Sequence, residues 1–230
     1  MPANASVVLT HGAWADGSSW SKIIAPLAAD GVKTVAAPLP LTSFQDDVAA
    51  LERTLERVPG PVVLAGHAYA GAVIAAARSE KVKALVFIAA LAPDEGETVL
   101  DVFTRAAPHP LAPKVEPDSH GLIYLPDTAF RSAFAQNATA AEQAVLAAAQ
   151  RPISPASITV PVPRPSWKDL PSWFLVAEQD RMIAGDNQRF MAERMKAAIR
   201  AHAVDHAPIV TAPGIVLSVM LEAIAQVSKN

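Results

Sequence analysis

Short apolar runs alternate along the chain with longer stretches in which apolar and polar residues repeat at helical spacing. The short runs are apolar throughout, as expected for strands that are buried on both faces of a parallel sheet. Repeated alternation of such strands with helices predicts an α/β fold, in which helices cover both faces of a mostly parallel sheet. The predicted strands span residues 6–10, 33–37, 62–65, 84–89, 173–177 and 200–204, and the predicted helices span residues 20–30, 44–58, 70–79, 186–199 and 214–227.

The alternation stops between residues 94 and 166, where ten of the 20 prolines lie. Four prolines between 108 and 117 exclude a continuous helix there, and helices are predicted only over residues 128–136 and 140–150. Such an insertion is either a passive elaboration or a lid over an active site, and its length favours the lid. We therefore expect a core formed by residues 1–93 and 167–230, and a cap formed by residues 94–166.

Composition limits the classes of protein to consider. A chain of 230 residues that is 51% apolar is long enough for one domain with a large core. The net charge of -3 gives no electrostatic case for binding nucleic acid or an anionic membrane. The absence of cysteine excludes disulfides, thiolate metal sites and a cysteine nucleophile. No signal-peptide pattern or membrane-length apolar run is visible, so we expect a cytoplasmic protein.

A small-residue turn, Gly66-His67-Ala68-Tyr69-Ala70-Gly71, directly follows the apolar run at 61–65. A buried strand, a sharp turn and an apolar helix form the context of the G-x-S-x-G nucleophile elbow, which needs small residues on both sides of its apex. Gly66 and Ala70 meet that need. The apex is Ala68, where the chemistry requires a serine, so we assign Ala68 to the position of the nucleophile.

His206 is the candidate general base. In the arrangement built around such an elbow, the acid and then the histidine follow the nucleophile, on loops at the carboxyl ends of later strands. His206 lies directly after the last predicted strand, and Pro208 and Pro213 restrict the loop that carries it. His202 is the alternative, but it lies inside the predicted strand.

Asp180 is the candidate acid that would orient and stabilise the imidazole of His206. It follows the predicted strand at 173–177, on the loop where the chain order requires an acid. Some enzymes of this type take the acid from an earlier strand, for which Asp94 is the alternative. The remaining acids nearby are interpreted as surface or helix-capping residues, namely Glu178, Asp186 and Asp205.

Two backbone N–H groups are candidates for binding a developing oxyanion. Ala13 lies on the His11-Gly12 turn after the first predicted strand, and Tyr69 follows the apex of the elbow. The same turn is also compatible with a purely structural role. The candidates for lining an apolar substrate pocket are aromatic residues that would equally suit the core, namely Trp14, Phe103, Phe130 and Trp167, together with Tyr69.

The segments 11–14, 66–71 and 87–94, together with Asp180 and His206, resemble the α/β-hydrolase superfamily over nearly the whole chain. The likeness is greatest to small bacterial esterases related to plant methylesterases and hydroxynitrile lyases. The resemblance implies an α/β-hydrolase fold with a six-stranded parallel sheet and a small helical cap. It also implies ester hydrolysis through an acyl-enzyme, without a cofactor. Ala68 departs from the pattern.

We therefore interpret the chain as a serine carboxylic-ester hydrolase for a small ester, inactivated by alanine at the nucleophile position. Because the other catalytic residues are intact, an introduced replacement is favoured over a natural loss. One alternative is a ligand-binding homologue without catalysis. Another is a lyase or oxygenase that uses His206 as a base on a substrate proton. We expect a small-molecule ester as partner, no metal, nucleic acid or membrane, and a monomer or homodimer.

Overall fold

The computed structural model describes residues 5–229. At its centre, six strands form one parallel sheet in the order β2-β1-β3-β4-β5-β6. The sequence-based prediction of a six-stranded parallel sheet is therefore confirmed. The strands are β1 (Ser6–Thr10), β2 (Thr34–Ala37), β3 (Val62–His67), β4 (Val82–Ile88), β5 (Ser172–Ala177) and β6 (Ala198–His202).

Helices follow most strands, as expected for an α/β fold. A π-helical turn, Phe130–Phe134, extends the short helix α5, and single 3₁₀ turns cover Gly17–Trp20, Pro155–Ser157 and Ser166–Lys168. No helix within residues 5–229 has both the length and the apolar character to cross a lipid bilayer. The helices are α1 (Ser21–Ala29), α2 (Phe44–Glu56), α3 (Ala70–Ala76), α4 (Val99–Thr104), α5 (Asp127–Ala129), α6 (Ala140–Ala148), α7 (Gly185–Arg194), α8 (Pro208–Thr211) and α9 (Pro213–Val227).

Each face of the sheet has its own apolar core, because successive side chains of a strand point to opposite faces. Val8 and Phe87 pack on one face, together with helices α2, α3 and α7 and with residues of the 94–166 segment. Val7 and Val63 pack on the other face with α1, α8 and α9. This double burial explains why the inner strands are mostly apolar on both faces instead of alternating between apolar and polar residues.

The predicted boundaries are wrong near the last strand. Helix α7 ends at Arg194 instead of near residue 199, and β6 begins two residues earlier than predicted. Lys196 has a φ of 54°, which lies outside the helical region and turns the chain into β6. Helix α4 was not predicted, although Thr98 and Asp101 form a capping box at its start.

The 94–166 segment packs on the loops that follow β1 and β2. Its Arg151 carbonyl accepts a hydrogen bond from the backbone N–H of Trp14 (3.0 Å), and the backbone N–H of Ser154 donates to the carbonyl of Leu41 (2.9 Å). In open parallel sheets, ligands usually bind at the edge formed by the loops that follow the carboxyl ends of the strands. The segment therefore lies at the edge where the candidate site residues are expected.

Candidate active site

The turn between β3 and α3 holds Ala68 in the left-handed backbone region, with a φ of 51°. Its N–H donates to the carbonyl of Ile88 (3.1 Å), and its carbonyl accepts from the N–H of Leu91 (3.0 Å). A Cβ on Gly66 would lie 2.8 Å from the carbonyl oxygen of Ala70, so the turn requires glycine there. Strained residues that the surrounding structure holds in place cluster at functional sites. Ala68 therefore occupies the apex of a sharp elbow, as predicted.

His206 and Asp180 form a buried pair behind this apex. Nδ1 of His206 lies 2.8 Å from Oδ2 of Asp180, and the side chains are 3% and 0% exposed. The other oxygen of the carboxylate accepts the backbone N–H groups of Met182 (2.7 Å) and Ile183 (2.8 Å). Gln188 also donates to Oδ2 (2.7 Å). In the tautomer whose Nδ1–H donates to Asp180, the second ring nitrogen, Nε2, carries a lone pair and has no hydrogen-bond partner among residues 5–229, as a candidate base requires.

The backbone of His206 is held from the elbow. Nε2 of His67 lies 2.6 Å from the carbonyl oxygen of His206, and the two ring centroids are 4.9 Å apart. Burial lowers the pKa of His67 to about 3, so at neutral pH its imidazole is uncharged and its Nε2–H donates to that carbonyl. His67 thus links the end of β3, directly before Ala68, to the loop that carries His206.

The two candidate oxyanion donors lie beside the apex. Ala13 and Tyr69 both line the same cavity as Ala68 and His206. Within residues 5–229, neither of their backbone N–H groups donates to a protein acceptor. A Cβ on Gly12 would lie 3.0 Å from the Cβ of Ala68, which shows how closely the first loop approaches the elbow. Both donors are therefore available to a bound carbonyl oxygen.

His11 has a structural role. Its Nε2 accepts the backbone N–H of Leu39 (3.0 Å), while Nδ1 lies 3.0 Å from the carbonyl of Gly12. Burial lowers the pKa of His11 to about 4, so the ring is neutral. With both nitrogens engaged, the ring fixes the loop that carries Ala13.

A cavity of about 420 Å³ extends from Ala68 and His206 under the 94–166 segment. Of the candidate pocket residues, Trp14 and Phe103 line this cavity, whereas Phe130 and Trp167 do not. The cavity is lined by Ala13, Trp14, Ala68, Tyr69, Leu91, Val99, Leu100, Phe103, Ala112, Pro113, Val115, Pro117, Ile123, Ile153, Pro155, Ile158, Thr159, Met182, Ile183 and His206.

Phe130 and Trp167 are buried in the apolar core and do not line the cavity. Phe130 is fully buried and packs against Phe134 (5.2 Å between ring centroids), whose ring in turn contacts His206 at 5.1 Å. Trp167 lies in the 3₁₀ turn that packs against α3. Phe134, at the end of the π-helical turn, is thus the phenylalanine whose ring contacts His206, and the sequence pattern does not single it out.

The alternative acids and the alternative histidine have other places. His202 lies on β6, where its carbonyl accepts the N–H of Glu178 (2.9 Å). Asp186 lies in the first turn of α7. No cluster of three histidine or acidic side chains within residues 5–229 could hold a metal ion. The other acids are paired as follows: Asp94 with Lys168 (2.5 Å), Glu178 with Arg189 (3.1 Å) and Asp205 with Thr211 (2.5 Å).

The arrangement therefore combines a histidine oriented by a carboxylate, two backbone N–H groups and an apolar cavity around a strained elbow. The family model described as "Alpha/beta hydrolase family" matches residues 7–219. The chain belongs to the alpha/beta hydrolase family. The comparison with curated protein sequences gives no match.

Solved structures of alpha/beta hydrolase architecture agree with this chain over nearly their whole length. Polyneuridine aldehyde esterase is 18% identical, with 95% of this chain and 98% of that chain covered at a TM-score of 0.81. A methylesterase from Arabidopsis is 14% identical, and the match covers 96% of this chain and 99% of that chain at a TM-score of 0.80. A variant of tomato methylketone synthase I is 19% identical, and the match covers 96% of this chain and 98% of that chain at a TM-score of 0.80. These likenesses show the fold.

Proposed function

We propose that the cavity is the active site of a carboxylic-ester hydrolase that works through an acyl-enzyme on a serine at position 68. In this chain, Ala68 makes the site unable to form that intermediate. The observation that supports this most directly is the juxtaposition of the Asp180–His206 pair with the strained apex at Ala68, in one cavity with two free backbone donors.

With a serine at position 68, each group would have a defined task. Nε2 of His206 would take the hydroxyl proton while the oxygen attacks the ester carbonyl, and Asp180 would stabilise the resulting imidazolium. The N–H groups of Ala13 and Tyr69 would bind the oxyanion. His206 would then give its proton to the leaving alcohol, and water would release the acid by the same steps.

The alanine removes the nucleophilic oxygen and leaves the rest of the site as hydrolysis requires it. Asp180 keeps four donors, and the backbone donors remain free. This favours an introduced replacement over a long-standing loss, in which the other groups would have drifted. The genomic codon for residue 68 tests this: a serine codon supports the proposal, and an alanine codon contradicts an introduced change.

The cavity supports a small, largely apolar ester as substrate. None of its lining residues is acidic or carries a lysine or arginine charge, and most belong to the 94–166 segment. In our proposal this segment is the cap that selects the substrate. The cavity volume of about 420 Å³ lies within the usual range for small-molecule sites.

Covalent labelling tests the proposal. An alkyl fluorophosphonate should add to Ala68→Ser, with loss of fluoride and formation of a bond between phosphorus and the serine oxygen. Peptide mass spectrometry should place the adduct on residue 68. The parent chain and the double variant Ala68→Ser/His206→Ala should stay unlabelled. A folded Ala68→Ser protein without adduct would contradict the proposal.

A second candidate function needs no nucleophile, so a chain with Ala68 would itself be active. His206 would act as a base on an acidic C–H of a ketone, and the two backbone donors would bind the enolate oxygen. Two observations favour it: Nε2 of His206 has no hydrogen-bond partner within residues 5–229, and a structure named methylketone synthase shares the fold. In D₂O, the parent chain should then exchange protons next to the carbonyl of a hydrophobic ketone, and His206→Ala should not.

A further inference from the structure

Asp47 is a fully buried carboxyl group that the proposed hydrolysis does not use. It lies in the first turn of α2 and is 0% exposed. Its Oδ2 accepts the hydroxyl of Tyr69 at 2.6 Å, and its Oδ1 accepts the backbone N–H of Leu41 at 2.7 Å. Burial raises the pKa of Asp47, while these two hydrogen bonds favour its charged form. An acid in such a place costs free energy, so its contacts merit a functional explanation.

The hydrogen bond from the Tyr69 hydroxyl connects Asp47 to one of the two candidate oxyanion donors. Tyr69 directly follows Ala68, and its backbone N–H is one of the two donors beside the apex. The peptide between Ala68 and Tyr69 follows a residue at a φ of 51°, a conformation that surrounding contacts must hold. Asp47 holds the far end of the Tyr69 side chain and so restricts rotation of that peptide.

The hydrogen bond from the Leu41 N–H connects Asp47, through Leu41, to the proposed cap. Leu41 has a φ of 61°, and while its N–H donates to Asp47, its carbonyl accepts the N–H of Ser154 at 2.9 Å. Ser154 lies between Ile153 and Pro155, which both line the cavity. One carboxylate therefore connects the cavity wall in the 94–166 segment to the elbow.

We propose that Asp47 is a positioning residue that sets the orientation of the Tyr69 N–H toward the substrate carbonyl and links it to the cap. The inference rests on the proposed function, because it takes the Tyr69 N–H as an oxyanion donor. Removing an oxyanion donor lowers kcat by about 10²–10³-fold. An oxyanion donor that is still present but wrongly oriented should lower kcat by about 10–100-fold. KM should stay within about twofold, since the ground-state contacts of the ester remain.

The chain offers a simple spectroscopic test, because it contains only two tyrosines. Incorporation of ¹⁵N-tyrosine gives one amide signal for Tyr69 and one for Tyr124, which is 48% exposed in the cap. Asp47→Asn in the parent chain should shift the Tyr69 signal and add relaxation dispersion on the microsecond–millisecond timescale. The Tyr124 signal should stay unchanged. Asp46→Asn, the exposed neighbour on the same helix, is the matched control and should alter neither signal.

Kinetics separate positioning from simple packing. In the Ala68→Ser background, Asp47→Asn should lower kcat as stated at constant KM, and Asp46→Asn should have no effect. Tyr69→Phe, which loses the hydroxyl but keeps the ring, should match Asp47→Asn, and the double variant should be no worse than either. If Asp47→Asn fails to fold, Tyr69→Phe alone carries the kinetic test.

An unchanged Tyr69 amide in Asp47→Asn, or an unchanged kcat in both single variants, would overturn the inference. An inactive Ala68→Ser protein whose Tyr69 signal still responds to Asp47→Asn would instead contradict the proposed function and leave the positioning intact. The two failures are therefore distinguishable.

Discussion

Nδ1 of His206 lies 2.8 Å from the Asp180 carboxylate, in a place where neither side chain reaches solvent appreciably. The carboxylate is itself fixed by Met182, Ile183 and Gln188. A ring held in this way has one tautomer in its neutral form and directs Nε2 away from the acid. In the proposed function, this pair keeps the orientation that proton transfer needs even though residue 68 has no hydroxyl.

Asp180→Asn in the Ala68→Ser protein should lower turnover by about 10⁴-fold, because the amide can donate to Nδ1 and so favours the wrong tautomer. Ester hydrolysis at saturating substrate measures this. Glu178→Gln is the matched control, since Glu178 is an exposed acid two positions away that pairs with Arg189, and it should change turnover by less than about twofold. A loss of only a few-fold in Asp180→Asn would require another acid, first Asp94.

Phe103→Ala in the same background should raise KM for a hydrophobic ester by about three- to tenfold and leave kcat unchanged. The ring lines the cavity but is 40% exposed at its mouth, so it contributes binding that is equal in ground and transition states. Leu111→Ala is the control, because Leu111 is an exposed apolar residue of the same segment that does not line the cavity. Equal KM values for the two variants would contradict the placement of Phe103 at the opening of the cavity.

Stability should fall as the pH is lowered below about 6.5. The pKa values of His67 and His11 are lowered by burial to about 3 and about 4, so below pH 6.5 the unfolded chain binds protons that the folded chain does not. Each group should then lower the free energy of unfolding by about 2 kcal/mol between pH 6.5 and pH 5. Urea unfolding at both pH values measures this.

His67→Gln should remove its share of that pH dependence, whereas His109→Gln, at an exposed position, should not. An identical pH slope in His67→Gln and in the parent chain would show that folding does not lower the pKa of His67.

The sheet and the positions of the candidate site residues after their strands could be predicted, because both depend on local pattern and chain order. β1 is apolar at three of five positions and spans the residues predicted for it, 6–10. Asp180 and His206 follow strands β5 and β6, as the chain order predicts. β6 begins two residues before its predicted start, because the turn at Lys196 depends on a backbone conformation that its residue type does not indicate.

Long-range packing explains what the sequence did not reveal. Whether Phe130 or Phe134 faces the base depends on how a π-helical turn docks against the His206 loop. Asp47 contacts Tyr69 across 22 positions, and Gln188 contacts Asp180 from the following helix. Nothing in their local pattern distinguishes these residues from the other polar positions of a helix.

The central claim is tested most directly by hydrolysis of p-nitrophenyl acetate by Ala68→Ser beside the parent chain. Removal of the nucleophile from a complete triad lowers turnover by about 10⁶-fold, so the restored serine should raise the rate by several orders of magnitude. His206→Ala in the serine form should abolish the gain. A correctly folded Ala68→Ser protein that hydrolyses the ester no faster than the parent chain would contradict the account.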